Sequence, residues 1–114
     1  MKSLRKNKVK YDHLVQFTLT KAYGDYLSQI VFMEGTSRSS YCRRVIKDFF
    51  SISDGKWSAI EKMDDQKKKH PFSVEIMVTE KEYKRLARYA KKRRTSIAKC
   101  SRFIIMGYLY CIKE

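Results

Sequence analysis

The sequence predicts a mainly α fold with short β, in which two strands and four main helices form two copies of one strand–helix–helix unit. Three observations predict it. Apolar residues alternate at 15–19 and again at 74–78. Each run leads into a Thr and two successive helical patterns. The two segments also superpose at a constant offset of 59 residues without a gap. Matching apolar positions and caps at fixed register indicate duplication of one supersecondary unit. A unit of about 40 residues rarely stabilises itself alone, so the copies are expected to pair.

Val15, Phe17 and Leu19 fall on one face of the first strand, with Gln16 and Thr18 on the other. Thr20 can cap a helix in which Tyr23, Leu27, Ile30 and Val31 share a face. Gly24 within it costs about 1 kcal/mol relative to Ala, so that helix needs tertiary support. Gly35 stops it and Thr36-Ser37 starts the next. That helix turns Cys42, Val45, Ile46, Phe49 and Phe50 inward, and Arg43 and Arg44 read as part of its solvated face.

The second copy repeats this grammar. Val74, Ile76 and Val78 face one way and Ser73, Glu75 and Met77 the other. Thr79 and Glu82 have capping-box spacing. Leu86 and Ala90 continue the apolar face, Lys91–Arg94 close the helix, and Thr95-Ser96 cap the last one. The apolar stretch 103–112 is too short to span a bilayer and reads as a buried helix end. The predicted organisation is a basic arm at 1–13, a first unit at 14–50, a connector at 51–72 and a second unit at 73–114. Trp57, Ile60 and Met63 give the connector the pattern of a short helix capped by Ser53 or Asp54.

Lys and Arg total 26 against 12 acids, a net charge of +14. Such a balance points to a polyanionic partner, nucleic acid before an acidic membrane surface. The arm carries net +4 over residues 1–14 and the second half net +7 over 73–114. Cys42, Cys100 and Cys111 lack metal-ligand spacing, and His13 and His70 stand far apart, so no metal or other cofactor is expected. A catalytic Ser/His/acid pattern and a Gly-rich phosphate loop are both missing, so the chain does not read as an enzyme. An intracellular location, in the cytoplasm or a host cytoplasm and on DNA, is the expectation.

The segment Gln-Phe-Thr-Leu-Thr at 16–20, the helix after it and Glu-Gly-Thr-Ser-Arg-Ser-Ser-Tyr at 34–41 resemble the ribbon–helix–helix DNA-binding family of Arc and MetJ type. The resemblance covers 14–50 well and 73–110 less well. It implies a tandem ribbon–helix–helix fold, with the two strands paired as an antiparallel ribbon that enters the major groove of double-stranded DNA. Proteins of the Arc and MetJ type read DNA with such a β-ribbon. The tandem layout is also similar to small regulators of archaeal viruses. The implied function is sequence-specific transcription regulation. A nonspecific architectural DNA- or RNA-binding protein and an antitoxin-like interaction module stay open beside it.

Base contacts are expected from Gln16, Thr18, Ser73, Glu75 and Met77, the outward residues of the strands. Gln can pair with adenine and Glu can accept from cytosine, whereas Met offers only apolar contact. Phosphate contacts are expected from Ser37, Arg38 and Ser39 at the start of one second helix and from Arg94, Ser96 and Lys99 near the other. Lys6, Lys8 and Lys10 of the arm would add nonspecific affinity. Pairing of the copies within one chain, or between two chains of a homodimer, is open at this level.

Overall fold

Strand β1 (His13–Leu19) leads into helices α1 (Lys21–Glu34) and α2 (Arg38–Ile52). Strand β2 (Phe72–Val78) leads into α3 (Glu80–Lys92) and α4 (Ile97–Lys113). The computed structural model describes residues 10–52 and 69–113; the connector helix expected near Trp57 and the arm residues Lys6 and Lys8 lie outside them. Over the described residues the protein is therefore mainly helical, with one two-stranded antiparallel sheet and four helices.

The two strands pair within the chain. His13 stands opposite Val78, Gln16 opposite Glu75 and Leu19 opposite Phe72. Gln16 and Glu75 are also equivalent positions in the 59-residue repeat, so the ribbon has an approximate two-fold axis between them. One face of the ribbon buries Val15, Phe17, Leu19, Val74, Ile76 and Val78, as the alternation requires. A lone two-stranded ribbon is marginal in water. Here the helices cover its apolar face.

The cover is crossed. Helix α2 packs chiefly on β2, α4 packs on β1, and the two helices pack on each other. A single core results, joining Leu27, Val45, Ile46 and Phe49 of the first half to Leu86, Ile104, Ile105 and Leu109 of the second. Each such side chain contributes about 1.5–3 kcal/mol on full burial. Neither half can bury its strand without the other.

Local signals match these boundaries. The Thr20 hydroxyl accepts from the Tyr23 N–H, and Thr79 and Glu82 form both bonds of a capping box. Gly35 is left-handed at φ 67°, and the N–H groups of Gly35 and Thr36 close the end of α1 on Phe32 and Val31 carbonyls. Arg94, the repeat counterpart of Gly35, takes the same conformation at φ 57°.

Three expectations need correction. Gly24 is no mere weakness in α1: the Phe72 ring lies against it where a Cβ would overlap. The expected buried end of α4 stops at Leu109, since Tyr110, Cys111 and Ile112 are exposed. Arg43 is not a solvated cation; it is half-buried and bonded to β2.

Candidate nucleic-acid interface

The ribbon's outward face is built by the odd–even alternation that buries the other face. Three cross-strand pairs form it: Leu14 with Met77, Gln16 with Glu75, and Thr18 with Ser73. One end is apolar, the centre is an amide–carboxylate couple, and the other end carries hydroxyls. Gln16, Ser73, Glu75 and Met77 are exposed, whereas Thr18 is half-buried. Leu14, 49% exposed, also belongs to this face, though the sequence reading did not single it out.

At the centre the Gln16 amide Nε2 donates to Glu75 Oε2 at 2.6 Å. A carboxylate only accepts, so the amide carbonyl of Gln16 is left as its second polar group. The couple therefore presents mainly acceptors outward. Such a surface matches exocyclic amines, which every base pair shows once in the major groove.

Two arginines hold the ribbon from behind. Arg43 of α2 donates to the Met77 carbonyl at 3.0 Å, and Arg102 of α4 donates to the Thr18 carbonyl at 2.9 Å. Met77 and Thr18 are repeat counterparts, as are Arg43 and Arg102. These bonds satisfy backbone groups on the edges of a ribbon that has no third strand among the described residues. Arg102 also donates to the Thr18 hydroxyl at 3.1 Å, so that hydroxyl already has a partner. The sequence signal for both clamps was their match in the repeat.

Ser39 sits differently from its expected role. Its hydroxyl accepts from the Met77 N–H at 3.2 Å and from Arg43 at 3.1 Å, tying α2 to the edge of β2. Its counterpart Ala98 has no oxygen to do so. Ser37 and Ser96 act as matched N-caps, accepting from the N–H groups of Ser40 and Lys99 at 3.0 Å each. Arg38 is exposed, with its guanidinium 5.3 Å from the centre of the Phe72 ring. Arg94 and Lys10 are exposed, and Lys99 is half-buried.

The interior offers no alternative chemistry at its thiols. Burial pushes Cys42 and Cys100 up to about 12, so both stay protonated at neutral pH and serve as small core residues. Among the described residues no cluster of His, Cys, Asp or Glu could hold a metal ion. No described helix is long and apolar enough to cross a membrane. No family model matches the chain, and no curated protein or solved structure matches it significantly.

Proposed function

We propose that the chain is a tandem ribbon–helix–helix regulator that binds double-stranded DNA with sequence specificity. The observation that carries this reading is the intramolecular antiparallel pairing of β1 and β2, with polar side chains outward at its centre. A two-stranded ribbon fits the major groove. Gln16 and Glu75 would read the centre of the site, with Thr18 and Ser73 on one side and Leu14 and Met77 on the other. The starts of α2 and α4 would approach phosphates through first-turn N–H groups, helped by Ser37, Arg38, Ser96, Lys99 and Arg94. Net +14 supplies the long-range attraction. Because the two ends of the outward face differ, the preferred site need not be a palindrome.

Selection of bound sequences from a random duplex library, with the mass of the complex measured in parallel, tests the proposal. A defined site is expected. Gln16→Ala should flatten the preference at its centre, while Arg38→Ala should weaken all sites alike. With about 6–10 phosphates contacted, affinity should fall by ~10³–10⁵ between 50 and 200 mM salt. Equal affinity for every duplex would sink it. One observation weighs against base reading by this face: Glu75 places a negative charge where phosphates approach, and a nonspecific role carried by the cations elsewhere is the second reading. The same selection separates the two readings.

A further inference from the structure

Helix α3 carries a second concentration of charge, on residues that are not part of the ribbon. Lys81, Lys84, Arg85 and Arg88 line a groove of about 420 Å³ on its surface. At 100° per residue these positions fall opposite Leu86 and Ala90, the buried residues of the same helix. The usual reading of such a face is simple solvation.

The repeat provides an internal control against that reading. The equivalent positions of α1 are Ala22, Asp25, Tyr26 and Gln29, which include no cation. The same slot in the same fold is thus filled without positive charge. On α3 the cations sit three and four residues apart, where like charges repel. Within the face, Glu80 pairs with Lys84 at 3.0 Å, and Glu82 is occupied by the capping box. Arg85 lies 5.0 Å above the Phe50 ring, which steadies a guanidinium while leaving its N–H edges available. The groove holds a repulsive arrangement that an anion would relieve.

We propose that this groove binds the phosphodiester backbone of nucleic acid, as a site separate from the ribbon face. Lys81 to Arg88 spans ~10 Å of helix at 1.5 Å per residue. That is the axial length of about three successive phosphates on one strand. A membrane surface fits less well, because no described residue lining the groove is an apolar one that could insert among lipid tails. The backbone would come either from the flank of the duplex on the ribbon or from a second duplex. The site does not depend on sequence reading by the ribbon.

The test uses the full chain and the fourfold variant Lys81→Gln, Lys84→Gln, Arg85→Gln, Arg88→Gln, which keeps good helix formers throughout. Affinity for random-sequence duplexes is measured from 50 to 200 mM salt, on roughly 12 and roughly 40 base pairs. Energy transfer between two differently labelled duplexes is recorded alongside. If three phosphate contacts are lost, the affinity drop across that range becomes about 40-fold smaller in the variant. A change confined to the long duplex assigns the groove to the flank. Energy transfer that the wild type produces and the variant loses assigns it to a second duplex.

An unchanged salt slope on both lengths, with unchanged energy transfer, overturns the proposal. So does a variant that loses binding only to phosphatidylserine vesicles. Should the fourfold variant not fold, Lys81→Gln and Arg88→Gln singly are each expected to lower the slope by about 0.9. Gln16→Ala is run in parallel. A wild-type chain with no sequence preference, or a Gln16→Ala variant whose preference is unchanged, counts against the ribbon reading and, with the slope effect of the groove variant intact, leaves the groove standing.

Discussion

The two halves of this chain solve the same packing problem with different residues. Where β2 begins, Phe72 lies on Gly24 of α1. At the other end of the ribbon their counterparts, His13 and Tyr83, stack with ring centres 4.9 Å apart. A large residue over none is thus matched by two rings side by side. The turn between helices uses Gly35 in one half and Arg94 in the other, both left-handed. Ser39 secures the edge of β2, while Ala98 does nothing comparable for β1. Core and backbone are held in common; ring contacts, turn residue and surface charge are free to diverge.

The most severe way to break this comparison is Gly24→Ala. A methyl group would overlap the Phe72 ring, so we expect a loss of about 3 kcal/mol by urea unfolding. Tyr83→Ala at the counterpart should cost less, because it removes a contact without forcing a clash. A smaller loss at Gly24 would mean that Phe72 can move aside.

Next come the clamps. Arg43→Ala and Arg102→Ala should each destabilise by about 2 kcal/mol, since each removes a charged donor from a strand carbonyl. Equal losses would show that the two clamps carry the same weight. A larger loss at Arg43 would assign the excess to its further bonds with Ser39 and Ser40.

The smallest effect belongs to the turns. Arg94→Gly should stabilise by up to about 1 kcal/mol by removing the side-chain penalty of a left-handed backbone. Gly35→Ala should cost about the same. Thermal unfolding of the two variants should therefore shift in opposite directions. Arg94→Gly also removes a cation that the proposed function sets near phosphate, so weaker binding to DNA by this variant would report that lost contact and not the backbone strain.

Much of this architecture could be read from residue order. The strands follow from alternation at Val15–Leu19 and Val74–Val78, and the helix starts from Thr20, Ser37, Thr79 and Ser96. Those signals are local, so they survive without knowledge of neighbours. The role of Gly24 did not show, because its cause is Phe72, brought there only by strand register. Arg43 looked like a surface cation for the same reason: its carbonyl partner, like that of Arg102, lies on the strand of the opposite half. The left-handed turn at Arg94 was hidden by a run of cations with no Gly to mark it. On the outward face, alternation placed Gln16, Ser73, Glu75 and Met77 correctly in the open. It could not show that Gln16 and Glu75 bond to each other, or that Thr18 is already engaged by Arg102.

The pairing of β1 with β2 inside one chain also governs how the protein behaves on dilution. A ribbon assembled from two separate chains would come apart as its concentration falls below the dissociation constant. A covalent tether instead holds the second strand at an effective concentration on the order of millimolar. The crossed packing of α2 on β2 and α4 on β1 then forms as a unimolecular event. A few copies in a cell would carry an intact ribbon as reliably as a few thousand.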